Sequence, residues 1–248
     1  MADDAPRRNL PPLALHIPEP RFRPGDAVDY LDFDRGEAGA TPRPPIDAVP
    51  ASIRDLAYGL VRVLDDEGKA VGPWDPRLSP DRLIAMLRHM ALTRAYDDRM
   101  YRAQRQGKTS FYMKCTGEEA TAIAPAYALD SDDMCFPSYR QQGFLIARDW
   151  SLVDMMCQVY SNSADRLKGR QMPIMYSARE AGVFSISGNL ATQLPQAVGF
   201  AMASAARGDT RIAAAWCGEG STAEGDFHSA CTFASVYRAP VILNVINN

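Results

Sequence analysis

The sequence predicts an α/β chain in which helices flank a parallel sheet, and three observations predict it. Near the C-terminal end, Arg211 to Cys217 reads as a buried strand, Thr222 to Tyr237 as a helix and Pro240 to Ile246 as a second strand, which together make a βαβ unit. Upstream lie several amphipathic segments of helix length separated by short polar turns, the pattern of layers packed on a sheet. The chain has 248 residues and is 46% hydrophobic, enough for a large core without disulfide staples.

Charge and composition exclude several classes. The chain carries 27 Lys+Arg and 30 Asp+Glu, a net charge of −3, with no basic run of the kind that neutralises phosphates along nucleic acid. Its apolar stretches are strand-length, short of the ~20 residues that span a bilayer, so a soluble chain is expected. Cys115, Cys135, Cys157, Cys217 and Cys231 are odd in number and set in apolar sequence, which fits reduced core thiols. Met1-Ala2-Asp3-Asp4 lacks the layout of a secretion signal or a transit peptide, and the expected location is the cytoplasm.

Two domains are expected, divided at residues 55 and 56. Residues 1–50 hold 10 of the 18 prolines, a density incompatible with regular helix or central strand. Leu13, Leu15, Ile17, Phe22, Tyr30, Leu31 and Phe33 make this stretch more apolar than a free tail needs, so residues 1–55 read as an extended arm lying on a partner subunit. In the domain that follows, Gly59 to Val63 could pair as a strand ahead of the turn Asp66-Glu67-Gly68.

The first strong helix signal is Ser79-Pro80-Asp81, with a capping hydroxyl, a preset φ and an acidic residue at the positive end of the helix dipole. Its stripe of Leu83, Met86, Leu87, Met90, Arg94 and Asp97 begins apolar and ends charged, so the stretch from Tyr96 to Gln106 is expected at an interface or cleft. Gly117-Glu118-Glu119 opens a helix to Leu129 that Pro125 weakens. Gln141 to Arg148 and Leu152 to Tyr160 read as further helices, the latter capped by Ser151. Leu190 to Ala206 reads as a small-residue helix stopped by Gly208.

Ligands of open parallel sheets gather at the carboxyl ends of the strands, where Glu219 and the pair Asn247-Asn248 fall. Gly218-Glu219-Gly220 is neither a full dinucleotide fingerprint nor a P-loop, which disfavours both of those readings. A carboxylate and an amide carbonyl at adjacent strand ends are hard oxygen ligands suited to Mg²⁺ or Ca²⁺, and Mg²⁺ takes one or two such groups together with phosphate oxygens. The flanking glycines let backbone approach a diphosphate. Glu219 taken alone reads more often as a helix-start carboxylate than as a metal ligand, and His89 and His228 read as structural or exposed.

Gly218-Glu219-Gly220 through Asn247-Asn248 resembles the thiamine diphosphate motif. With it, Ser110-Phe111-Tyr112-Met113, Gly117-Glu118-Glu119, Tyr139-Arg140, Lys168 to Pro173 and Leu190-Ala191-Thr192-Gln193 resemble the α subunits of the branched-chain 2-oxo acid dehydrogenase E1 component, continuously from Leu56 to Asn248. The resemblance implies a thiamine-diphosphate-binding α/β fold with Glu219 and Asn248 as Mg²⁺ ligands, Gly218 and Ser221 along the diphosphate, and Tyr139 and Arg140 at its phosphate end. It further implies that Gly188 and Leu190 lie beside the cofactor rings, that Ser187, Asn189, Thr192 and Gln193 form a K⁺ site, and that Phe111 and Tyr139 wall the substrate pocket.

The implied activity is oxidative decarboxylation of branched-chain 2-oxo acids with acyl transfer to the lipoyl group of the E2 partner, in an α2β2 assembly with a β subunit. Pyruvate or acetoin dehydrogenase α subunits and a non-catalytic assembly subunit are the alternatives. Three positions depart from the family pattern: Asn189 for proline, Ile246 for arginine and Ser138 for glutamine. The family's histidine and second metal loop are expected after Asn248, so no catalytic acid or base is assigned here, and the domain is expected to be incomplete at its C-terminal end.

Overall fold

A computed structural model describes residues 35–247. The chain divides into two compact units, residues 1–77 and 78–248. Most of the proline-rich arm, including Leu13 to Phe33, lies outside the described residues.

In the first unit Pro50–Tyr58 forms a 3-10 turn. The strand expected at Gly59 to Val63 does not form. A single antiparallel bridge joins Leu64 and Ala70 across the Asp66-Glu67-Gly68 turn, and the pairing ends where Gly72 meets Gly39. Both glycines have positive φ, and a Cβ on Gly72 would clash with the Gly39 backbone, so the close approach requires glycine there.

The second unit is built of six helices, α1 (Pro80–Arg105), α2 (Glu119–Ala128), α3 (Gln142–Ala147), α4 (Leu152–Val159), α5 (Gln193–Ala206) and α6 (Gly225–Tyr237), and three strands, β1 (Met134–Phe136), β2 (Ala213–Gly218) and β3 (Val241–Ile246). The strands lie in the order β1, β2, β3 and pair in parallel, with Phe136 beside Ala215 and Gly218 beside Ile246. The βαβ unit forms as expected. Strand β1 was not anticipated, being only three residues long with no alternation to reveal it.

Strand β2 shows why a nearly continuous apolar run marks a central strand. Ala214 and Trp216 enter the core shared with α2, α3 and α4, while Ala213, Ala215 and Cys217 enter the one beneath α5. Trp216 is fully buried, its ring edge-on to Phe144 at 5.4 Å and its indole N–H donating to the Thr121 carbonyl.

The helix starts follow the sequence signals. The Ser79 hydroxyl accepts from Arg82 N–H, and that of Ser151 from Asp154 N–H. Helix α2 accommodates Pro125 in its interior. Helix α5 begins at Gln193 rather than Leu190, because residues 187–192 form a loop in which Ala191 has φ of 62°. Gly208, at φ of 68°, follows its end.

Helix α1 reverses one expectation. Its apolar beginning, Leu83, Ile84 and Leu87, is exposed, whereas Tyr96, Asp97, Met100 and Ala103 near its far end are buried in the core rather than at a cleft. The reason is a polar anchor. The fully buried Asp97 carboxylate accepts from Tyr112 Oη at 2.6 Å, Cys115 N at 2.7 Å and Gln142 Nε2 at 2.7 Å, which draws this end of α1 beneath two chain segments.

All five cysteines are free, with Cys115, Cys135 and Cys217 buried; burial pushes the Cys135 thiol up to about 12. Among the described residues, no helix is long and apolar enough to cross a membrane.

Candidate functional site

Because the three strands are parallel, their carboxyl ends share one edge of the sheet, and the segments leaving them converge there. The chain after β1 supplies Ser138, Tyr139, Arg140 and Gln141. The turn after β2 supplies Gly218, Glu219, Gly220 and Ser221, and β3 ends in Ile246. The loop before α5 closes the side with Ser187, Asn189, Leu190 and Gln193, and Glu118 at the start of α2 completes a cavity of about 260 Å³.

Most residues singled out from the sequence meet here: Tyr139, Arg140, Ser187, Asn189, Leu190, Gln193, Gly218, Glu219 and Ser221 all line the cavity. Others do not. Gly188 and Thr192 belong to the same loop without lining it, and the Thr192 hydroxyl lies 3.3 Å from an Asp226 carboxylate oxygen. Phe111 is partly buried against the core cluster. Asn248 lies outside the described residues. His89 is bound to the Tyr127 hydroxyl and His228 is exposed on α6, so neither reaches the cavity.

The local structure explains the placement. After β2 the chain turns through a 3-10 segment, Glu219–Ala223, tied by the Thr222 hydroxyl donating to the Glu219 carbonyl at 2.6 Å. That turn leaves Glu219 exposed and Ser221 buried. Gln193 anchors the opposite loop by donating from its amide to the Trp216 carbonyl in β2. The Ser187 hydroxyl accepts from Asn189 N–H at 3.1 Å.

Glu118 is the residue that sequence reasoning passed over as a site residue. Its carboxylate lies 3.1 Å from Arg140 Nη1. The signal was its place in Gly117-Glu118-Glu119, where its neighbour Glu119 turns inward, accepting from Arg94 Nε at 2.8 Å and Gly117 N at 2.9 Å.

The cavity suits a diphosphate. Arg140 brings a guanidinium whose Nε is buried with no hydrogen-bond partner, a donor left over by the protein's own contacts. A Cβ built on Gly218 or Gly220 would meet nothing within 4 Å, so a bulky group has room against the turn. A metal fits only in company, because among the described residues no three His, Cys, Asp or Glu side chains cluster to hold one. Glu219 would bind Mg²⁺ together with phosphate oxygens, as that ion prefers.

Residues 87–248 match the family described as Dehydrogenase E1 component, and residues 11–51 match 2-oxoisovalerate dehydrogenase E1 alpha subunit N terminal. A Pseudomonas aeruginosa protein named 2-oxoisovalerate dehydrogenase subunit alpha is 63% identical over 237 residues, covering 96% of this chain and 58% of the relative. The Pan troglodytes mitochondrial 2-oxoisovalerate dehydrogenase subunit alpha is 36% identical over 251 residues, covering 100% of this chain and 53% of that protein. The Arabidopsis thaliana subunit alpha 1 is 39% identical over 226 residues, covering 90% and 47% respectively. The chain spans about half the length of the curated relatives it matches. On the strength of these matches, the chain belongs to the dehydrogenase E1 component family.

Proposed function

We propose that this chain is the cofactor-bearing part of an E1 α subunit acting in the thiamine-diphosphate-dependent oxidative decarboxylation of branched-chain 2-oxo acids, with the acyl group passed to a lipoyl group on E2. The observation that carries the reading is the convergence of Arg140, Glu219 and Ser221 on one cavity at the carboxyl edge of a parallel sheet. The names of the relatives point to the substrate class: three from distant organisms are each called 2-oxoisovalerate dehydrogenase subunit alpha.

In this reading the fold is a thiamine-diphosphate-binding fold. Arg140 and Tyr139 would hold the diphosphate, Gly218 and Ser221 would run beside it, Glu219 with Asn248 would bind Mg²⁺, and Gly188 and Leu190 would lie beside the rings. When bound, the cofactor supplies the carbon nucleophile and the electron sink. The chain's own residues bind and orient: a guanidinium fork fixes phosphate oxygens in two directions, which a point charge cannot do. Leu190, half exposed and lining the cavity, would lie beside the rings. Ser187, Asn189, Thr192 and Gln193 would order their loop around K⁺, and Tyr139 with Phe111 would bound the substrate pocket.

The partners are a β subunit in an α2β2 assembly and the lipoyl domain of E2, with residues 1–55 as an arm on a neighbouring subunit and residues 56–248 as the cofactor domain. The compartment proposed is the cytoplasm.

Steady-state kinetics of the complete subunit with its β partner tests the reading. Each added methylene in an apolar pocket is worth about 1–3 kcal/mol, so 3-methyl-2-oxobutanoate should exceed pyruvate in kcat/KM by about tenfold or more. A higher value for pyruvate would move the chain to the pyruvate or acetoin class.

A further inference from the structure

Arg140 lies in the turn just before α3, and its side chain has a partner on another segment. Its Nη1 lies 3.1 Å from Glu118 Oε1, and its Nη2 lies 4.0 Å from the Met113 sulfur. The pair also borders a second cavity of about 620 Å³, which extends toward Lys114 and Thr116 and shares Glu118, Arg140 and Ile246 with the first. A guanidinium released from Glu118 therefore has open space on the Lys114 and Thr116 side as well.

The frame around Glu118 is rigid. Glu118 N–H donates to the Cys115 carbonyl at 2.8 Å, and the next residue, buried Glu119, binds Gly117 N–H and Arg94. Beneath, Asp97 binds Cys115 N–H and the Tyr112 hydroxyl on this segment, and Gln142 two residues after Arg140. Gln142 also donates to the Met113 carbonyl at 3.2 Å. One buried carboxylate thus joins the segment that carries Glu118 to the first residue of α3, two positions after Arg140.

We propose that Glu118 is a positioning residue: it holds the Arg140 guanidinium on the wall of the first cavity, so that its remaining N–H groups stay available to a diphosphate. This deepens the cofactor reading and rests on it. Charge and position predict opposite signs, which makes the inference testable. A carboxylate beside an anion repels it, so by charge alone deleting Glu118 strengthens anion binding. If its role is to hold Arg140, deleting it weakens binding instead.

The experiment is calorimetric titration of the complete subunit, assembled with its partner subunit, with inorganic pyrophosphate and Mg²⁺. Glu118→Ala should weaken binding by about tenfold, the scale of losing a supporting partner behind a binding group, and Glu118→Gln, which keeps an acceptor oxygen in place, by no more than about threefold. In an Arg140→Ala background, Glu118→Ala should leave the affinity unchanged or raise it. Melting of each variant without ligand shows whether it is folded; if Glu118→Ala is not, Glu118→Asp, too short to reach Arg140 yet still charged, should show the same loss. Unchanged or tighter binding in Glu118→Ala, or a loss that persists without Arg140, overturns the inference and leaves the cofactor reading standing. A wild-type protein that binds neither pyrophosphate nor thiamine diphosphate overturns both.

Discussion

Two regions of the same sheet are treated very differently. Around Trp216 the side chains of β2 are sealed on both faces, and a polar hub at Asp97 locks the helices that cover one of them. At β3 and α6 the sequence is comparably apolar, yet Phe233, Val236, Tyr237, Ile242 and Val245 are 43 to 68% exposed, and Ala230 is the buried residue of α6. Among the described residues nothing covers them. Apolar sequence is thus not itself stability: the area removed from water stabilises, and that depends on what packs against it.

The largest expected effect tests that contrast. Trp216→Ala should cost about 3–5 kcal/mol in denaturant unfolding, through lost burial and the cavity left behind. Val236→Ala should cost less than about 0.5 kcal/mol in the same chain, as exposed substitutions do. Comparable costs for the two would mean that α6 is covered after all.

At the site, Arg140→Lys keeps the charge and loses the fork. It should weaken thiamine diphosphate binding by about 1–3 kcal/mol in a calorimetric titration, the scale of a hydrogen bond to a charged group. Equal affinity would remove Arg140 from the phosphates.

The smallest effect belongs to the edge of the unit, where the Arg211 guanidinium and backbone N–H hold the Asp209 carboxyl down at about 2. A carboxyl lowered in the folded state stabilises above its unfolded value, near the ordinary aspartate range, and that contribution is lost as pH falls through about 2. Asp209 is on the surface, so solvent screening keeps the contribution slight. Acid unfolding of Asp209→Asn should differ from wild type at neutral pH and converge with it as the pH approaches 2; a constant difference would show that the pair does not respond to pH.

Local signals made much of this legible. Ser79 and Ser151 announce their helices because a cap is a short-range contact, and the βαβ unit announces itself because a central strand excludes polar residues over its whole length. The Tyr139-Arg140 and Gly218-Glu219-Gly220 segments were legible as a site through their resemblance to a family, and their convergence follows from parallel strands. What sequence did not reveal was long-range. Asp97 looked like the polar end of a stripe because its partners lie 15, 18 and 45 residues away in the chain. Strand β1 exists because β2 is beside it. Glu118 was marked only by its place in Gly117-Glu118-Glu119, since its contact with Arg140 joins positions 22 residues apart.

In the proposed function, the cavity at the carboxyl edge of the sheet takes thiamine diphosphate through a metal held by Glu219. Calorimetric titration of the complete subunit and its partner with thiamine diphosphate and Mg²⁺, wild type against Glu219→Ala, tests it most directly. The account predicts Mg²⁺-dependent binding that Glu219→Ala abolishes while the melting transition without ligand stays unchanged; undiminished affinity in Glu219→Ala would contradict it.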